Sequence, residues 1–360
     1  MEAAVANATI PVAVLGGSGY VAGELLRLIA QHPRFRVVSA VSTTRPGDAV
    51  VSAFPHLAGT VLDGLAFESP DDLAARFEAG AAFGMFAATP HGATASLVDA
   101  MLSAAERAGA AVRVVDLSAD FRFPDPARFE AVYGHAHGAP HRLASFHCSV
   151  PEHFAGRPQA HAVQPGCFTT AVTLAAYPFM ALDLVEDDVF VAAVTGSSGA
   201  GRTPAPGTHH PERHAAMWAY SPLAHRHEPE MRRLLGEARG GREPDVQFVP
   251  HSGPFVRGIH ATLRMTLREP ATATDLVVRA CSFYAGAPFV GVSAEPPRLT
   301  EVVGTNRCRL GVAVRGRTLV VTSVIDNLVK GAAGGGVQWM NRLFGLPDDE
   351  GLRLPGLGWY

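Results

Sequence analysis

Lysine is almost missing from this chain: of 30 cationic residues among 360, Lys330 is the single lysine and the rest are arginines. Excess charge is missing too, since 33 acidic residues leave a net charge of −3. Nothing in that balance would draw a nucleic acid or an anionic membrane surface. Cysteine is scarce. Cys148, Cys167, Cys281 and Cys308 stand alone, with no CxxC spacing. That argues against a disulfide framework and against a cysteine zinc site, so no metal is expected. Long apolar runs are also lacking. The run at 171–182 is shorter than the about 20 residues that a membrane helix needs. Residues 1–10 have neither a basic region nor the apolar stretch of a signal peptide. The chain reads as soluble and cytoplasmic.

What is present is core material. The chain is 48% hydrophobic and 18% charged, and its length suits two domains. Residues 10–15 form a short apolar run, read as a buried strand. Gly16–Gly19 turn the chain, 23–29 carry helical periodicity up to His32-Pro33, and 35–41 read as the next strand. This is a β-α-β unit. Residues 81–88 and 112–117 look like further buried parallel strands, with a helix over 94–107 between them. The alternation predicts a doubly wound parallel sheet, an α/β domain. After about Cys148 the pattern changes. Residues 189–195, 246–249, 260–267 and 319–325 read as strands rich in β-branched residues, with helices at 228–239 and 273–284. That pattern predicts an α+β domain with a mixed, mostly antiparallel sheet. A final helix over about 327–343 is expected to pack back on the first domain. The domain reading is 1–164, joined by the C-terminal segment 327–360, and 165–326.

The chemistry begins at Pro165-Gly166-Cys167. An apolar helix-forming stretch follows at once, so the thiol stands at the first turn of a helix. Free backbone N–H groups and the positive end of the helix dipole gather there, and both favour the nucleophilic thiolate. The rival reading is a buried core thiol. Thr169 and Thr170, polar where a core helix would be apolar, argue for the nucleophile. The second motif is Gly16-Gly17-Ser18-Gly19-Tyr20-Val21-Ala22, between a strand and a helix. Its small residues permit a tight turn and close approach of backbone to a diphosphate, and the helix start supplies N–H donors. The rival reading is a simple glycine turn. The second strand ends in Ser42-Thr43-Thr44-Arg45, with no acid. Ser42 and Arg45 suit a ribose 2′-phosphate, which favours NADP.

A cysteine nucleophile needs a partner base or imidazolium. The chain has 16 histidines, densest in His209-His210-Pro211-Glu212-Arg213-His214 and His225-Arg226-His227. A metal is the rival reading of these clusters, but His225 and His227 are two apart, which does not suit a helical ligand pair. The loop Gly196-Ser197-Ser198-Gly199-Ala200-Gly201-Arg202 offers N–H groups, hydroxyls and a guanidinium for an anion. Arg257 is a second candidate for a carboxylate or phosphate, its planar fork matching both.

These residues, together with Pro90-His91-Gly92, Asp116-Leu117-Ser118-Ala119-Asp120-Phe121-Arg122, Val150-Pro151-Glu152, Pro250-His251, Arg257-Gly258-Ile259 and Asp326-Asn327-Leu328-Val329-Lys330-Gly331, resemble the N-acetyl-gamma-glutamyl-phosphate reductase family over nearly the whole chain. The resemblance implies a Rossmann-type domain plus a dehydrogenase-like catalytic and oligomerisation domain, NADPH as cofactor, and a homo-dimer or homo-tetramer. It implies Cys167 as nucleophile and His225 as its assistant. Gly16, Gly17, Ser18, Gly19, Tyr20, Val21, Ser42, Arg45, Pro90, Ser198, Gly199 and Asn327 would serve the cofactor. Ser118, Arg122, Gln164, Arg202, His227 and Arg257 would serve the substrate. Gln164 stands where the family pattern expects Asn. The stretch 208–213 resembles sister reductases whose substrate hangs from an acidic amino-group carrier protein, in lysine biosynthesis through aminoadipate.

The implied reaction is NADPH-dependent reductive dephosphorylation of an N-acyl-gamma-glutamyl phosphate through a Cys167 thioester, in arginine biosynthesis. Three alternatives remain open. One is reduction of carrier-linked 2-aminoadipate 6-phosphate. Another is aspartate-semialdehyde dehydrogenase, against which the Asp-Leu-Ser-Ala-Asp-Phe-Arg string speaks. The third is a non-catalytic NADP-binding regulator.

Overall fold

The computed structural model describes residues 9–89 and 92–358. They form two compact units. The first comprises Met1–Ser149, Gly156–Gln164 and Ala333–Arg353; the second comprises Val150–Ala155, Pro165–Ala332 and Leu354–Tyr360. The C-terminal segment is therefore shared. Residues 327–332 and 354–360 group with the second unit, and only 333–353 return to the first.

The first unit is built on strands β1 (Ile10–Leu15), β2 (Phe35–Val41), β3 (Phe67–Glu68), β4 (Ala82–Ala87), β5 (Ala111–Asp116), β6 (Phe146–Cys148) and β7 (His161–Val163). They form one 7-stranded sheet in the order β3-β2-β1-β4-β5-β7-β6, and every pair is parallel. The apolar run of β1 follows from its central place. Val12 lies between Val37 and Gly84, with neighbours on both sides, and Val12 through Leu15 are wholly buried. Helix α1 (Tyr20–Ala30) starts directly at the glycine turn, three residues before the expected 23. Helix α2 (Thr94–Ala108) links β4 to β5.

The second unit holds β8 (Val185–Thr195), β9 (Trp218–Ala219), β10 (Asp245–Ser252), β11 (Ile259–Leu267), β12 (Val290–Ser293), β13 (Cys308–Arg315) and β14 (Thr318–Ile325). Their order is β12-β13-β14-β11-β8-β10-β9. The sheet is mixed: β12 with β13 and β8 with β10 are parallel, and the other pairs are antiparallel. Helices α3 (Cys167–Ala181), α4 (Glu228–Glu237) and α5 (Ala273–Phe283) belong to this unit. Helix α3 is apolar on all sides because it is buried on all sides, packed on β8, β11 and β14 and against α4.

The last helix does not run unbroken from 327. Val329–Ala333 form a π-helical turn, and α6 (Gly334–Leu343) follows and packs on α1, β5 and β7. The glycine run at its start has a packing reason. A Cβ at Gly335 would collide with the Gln164 side chain, and one at Gly336 would lie 3.1 Å from Leu117 Cδ2.

Candidate active site

In the first unit the glycine turn has the form a diphosphate needs. Gly16 has φ +93°, and a Cβ there would sit 2.5 Å from the Ala88 carbonyl oxygen, so only glycine fits. Gly17 is closed in on its other side by the Phe67 ring. Gly19 is different: a Cβ there would meet none of the described residues within 4 Å, it heads α1 without a side-chain cap, and no acid stands in the first turn. The first N–H groups of a helix have no partner within it, so those of α1 suit an anion there. At the end of β2 the Ser42 hydroxyl accepts the Arg45 N–H at 3.2 Å, and Arg45 Nε donates to Asp48 at 2.8 Å. That ion pair is on the surface, where such pairs contribute little and exchange readily. The residues present fit a dinucleotide. Pro90 and His91 lie outside the described residues.

The Asp-Leu-Ser-Ala-Asp-Phe-Arg string, expected to serve substrate through Ser118 and Arg122, turns out to be tied into the fold through its acids. Asp116 accepts the N–H groups of Ser118 at 2.8 Å and Phe121 at 3.3 Å. Asp120 accepts those of Gly92 at 2.8 Å and Ala95 at 2.9 Å, so it caps α2 from outside the helix. Ser118 and Arg122 are both buried. Burial lifts Asp116 to about 6. Gln164 belongs to this unit, its N–H donating to the Asp116 carbonyl at 2.8 Å.

In the second unit Cys167 is the first residue of α3, half-buried, as its Pro-Gly entry predicted. The reason offered from Thr169 and Thr170 needs correction. Both are wholly buried. The Thr170 hydroxyl bonds back to the Gly166 carbonyl at 3.1 Å, so its polarity is satisfied inside the helix and marks no wet site. The N–H of Gly166 donates to Glu230 Oε1 at 2.8 Å, and Glu230 is wholly buried. A carboxyl on α4 thus fixes the turn that presents the thiol.

His225 sits on the same patch. Its ring meets Phe168 edge-on at 5.7 Å, Tyr220 at 5.6 Å and His227 at 4.7 Å. Its Nδ1 accepts the backbone N–H of His227 at 3.1 Å, which puts the proton of the neutral ring on Nε2. Burial, with Arg226 adding repulsion, pulls His225 down to about 4, so the ring is neutral at pH 7. His227 is buried at the start of α4. Tyr220 was missed from sequence. Burial, and next the charge of the Cys167 thiolate, push its phenol well above the usual range. It carries no motif, and only the fold brings it to the cysteine. Glu230 stood in view four residues after Arg226, but nothing in the string distinguished it from Glu228.

The loop 196–202 and Asn327 form a second cluster. Asn327 Nδ2 donates to the Ser198 hydroxyl at 3.0 Å, and its Oδ1 accepts the Gly258 N–H at 2.7 Å. Gly199 lies against the same amide, a Cβ there falling 4.0 Å from Nδ2. Arg257 pairs with the buried Asp326 at 3.0 Å. Arg202 is exposed. Among the described residues no group of three histidine, cysteine or acidic side chains could hold a metal.

Known proteins resemble this chain in sequence and in fold. The family model for the semialdehyde dehydrogenase NAD binding domain matches residues 11–146, and that for the semialdehyde dehydrogenase dimerisation domain matches 167–327. Aspartate semialdehyde dehydrogenase II of Vibrio cholerae has the same fold, with a TM-score of 0.67 at 16% identity over 93% of this chain and 98% of that one. The Francisella tularensis enzyme follows at 0.62 and 14%, over 92% and 99%. Sequence relatives are nearer. N-acetyl-gamma-glutamyl-phosphate reductase of Pseudomonas fluorescens is 40% identical over 97% of this chain and 99% of its own length. That of Pseudomonas entomophila is 41% identical over 97% and 99%, and that of Acidithiobacillus ferrooxidans 39% over 95% and 98%. The chain belongs to the N-acetyl-gamma-glutamyl-phosphate reductase family.

Proposed function

We propose that this chain is an NADP-dependent oxidoreductase of arginine biosynthesis that reduces N-acetyl-gamma-glutamyl phosphate to its semialdehyde through a thioester on Cys167. The observation that carries the reading is the thiol at the first turn of α3, with His225, its proton on Nε2, packed edge-on against Phe168, the next residue. Cys167 Sγ attacks the acyl carbon. N–H groups at the start of α3 receive the oxyanion, and each such donor is typically worth about 3–4 kcal/mol. The carbonyl re-forms, the carbon–oxygen bond to phosphate breaks, and Cys167 keeps the acyl group. When bound, NADPH supplies the hydride that this carbon takes up. The tetrahedral oxyanion, held by a hydrogen bond from the His225 Nε2–H, then re-forms the carbonyl as the carbon–sulfur bond breaks, releasing aldehyde and the Cys167 thiolate. Neutral His225 serves as an N–H donor throughout rather than as a standing imidazolium.

Ser42 and Arg45, with no acid at the end of β2, support NADP over NAD. The named relatives, similar over their whole length, support the free N-acetyl substrate over a carrier-linked aminoadipyl one. A homo-oligomer is supported by the match to a dimerisation domain. It is also supported by the outward face of the second sheet, where Phe190 is 41% exposed. No helix among the described residues is long and apolar enough to cross a membrane, and we place the enzyme in the cytoplasm.

The test is to mix enzyme and acyl phosphate without NADPH and read peptide masses. The expected result is an acyl adduct without phosphate on the Cys167 peptide, chased to semialdehyde by NADPH. Steady turnover with no adduct on that peptide would refute the scheme.

A further inference from the structure

The one lysine of the chain is wholly buried. Lys330 Nζ lies 2.5 Å from Glu152 Oε1, both side chains have no exposed surface, and the Phe289 ring faces the ammonium at 5.6 Å. The reaction scheme uses neither residue. Burying two opposite charges is expensive, and well-packed apolar residues often match or exceed such a pair in stability. A purely structural role is therefore a weak reason for the pair.

Its neighbours suggest a better one. Lys330 is the second residue of the π-helical turn Val329–Ala333. The next residue, Gly331, lies directly against the nucleophile: a Cβ there would fall 2.7 Å from Cys167 Cβ and 3.1 Å from Cys167 Cα. The upstream end of the turn is already fastened. Asp326 Oδ1 accepts the N–H groups of Leu328 at 2.8 Å and Val329 at 3.2 Å, and the Asp326 carbonyl accepts that of Gly331 at 3.0 Å. Its Oδ2 accepts Gly304 N–H at 2.7 Å. The ion pair fastens the same turn through Lys330 to the 3-10 turn Pro151–His153. A π turn is a rare backbone form that needs such support.

We propose that Lys330 and Glu152 are positioning residues for Cys167: their buried ion pair holds the turn whose Gly331 serves as the seat of the thiol. The proposal rests on Cys167 being the nucleophile, which the adduct experiment tests separately.

The decisive variant is Lys330→Met with Glu152→Leu, which removes both charges together. The expected result is a thermal midpoint near that of the parent and a kcat lower by about tenfold or more, with KM changed less than about twofold. The pH profile of Cys167 alkylation by iodoacetamide should also shift, a readout that a merely structural pair would not move. Parent kcat and an unshifted alkylation profile in the folded double variant would overturn the proposal. Gly331→Ala gives the same decision without touching the charges. Parent kcat and alkylation profile in that variant would overturn it, and a kcat loss of about a hundredfold at unchanged cofactor affinity would support it.

Discussion

Each unit starts a helix directly after a glycine, and the two starts are used in opposite ways. At Gly19 a Cβ would meet none of the described residues within 4 Å, and α1 has no side-chain cap and no acid in its first turn. At Gly166 the N–H is taken by Glu230, and the backbone against Cys167 is closed by Gly331. An open helix start is a receptor for something that comes and goes. A closed one is a mount, the N–H of its leading glycine spent on the protein so that one atom stays where the chemistry needs it.

The largest break in that contrast is Cys167→Ser. The mount remains, but the hydroxyl does not ionise near neutral pH, and turnover should fall by about a thousandfold or more. Cofactor affinity at the other start should not change. Steady-state rates with a cofactor titration would check both, and a serine enzyme within tenfold of the parent would end the thioester reading.

Next comes the mount itself. Glu230→Leu leaves the Gly166 N–H buried without its acceptor, and kcat should fall by about a hundredfold. Glu230→Gln keeps an oxygen for that N–H and should recover most of the rate. Equal losses in the two variants would mean that the charge, and not the hydrogen bond, is what matters.

This difference also marks what could be read from the residues alone. Pro165-Gly166-Cys167 announces a helix start by local chemistry, and the run of β1 announces a central strand by its lack of polar positions. The partners of Cys167 were not legible in that way. Glu230 reaches the Gly166 N–H before it and Tyr220 feels its charge, both from distant positions, and neither has a spacing that marks it. Thr170 misled, because its hydroxyl bonds to the turn behind it and is buried at no polar cost; Thr169 is buried too, its hydroxyl without a hydrogen-bond partner among the described residues. The acids of the 116–122 string were legible as a family mark but not as caps, since the helix that Asp120 caps begins 26 residues earlier at Thr94. The π turn at 329–333 was invisible, because periodicity cannot tell a slightly widened helix from a regular one.

The open start gives a smaller effect. Gly19 has φ −81°, which any residue adopts, and a Cβ there meets none of the described residues within 4 Å. Gly19→Ala should therefore fold like the parent, with a thermal midpoint unchanged. Its cofactor dissociation constant should rise by about tenfold, because the methyl occupies the approach of the diphosphate. The same substitution at Gly17 drives a methyl into the Phe67 ring and should cost stability instead. Loss of stability at Gly19, or unchanged cofactor binding, would show that this start is a mount as well.

The mildest test extends the contrast from helix starts to whole units, through their buried histidines. Burial pulls His32 and His161 of the first unit, and His225 of the second, to about 4. It pulls His153 of the second to about 3. Folded, each stays neutral, while the unfolded chain takes a proton near pH 6.5. The stability they lend is complete above about pH 6.5 and is lost as the pH falls toward 4. Asp116, in the first unit, works the other way. Its folded value of about 6 exceeds its unfolded one of 3.8, so its contribution is complete below about 3.8 and is lost as the pH rises through 6. On acidification from pH 7 to 4.5 the first unit therefore regains through Asp116 part of what its histidines lose, and the second has only the lesser lift that burial gives Glu237. Hydrogen exchange, corrected for the intrinsic pH dependence, should show amides of α3 and β8 losing more protection than those of α1 and β1. In Asp116→Asn, whose side chain does not titrate, the first unit should lose its advantage and the two should soften together. Equal softening in the parent chain would mean that Asp116 does not bind its proton in the folded state.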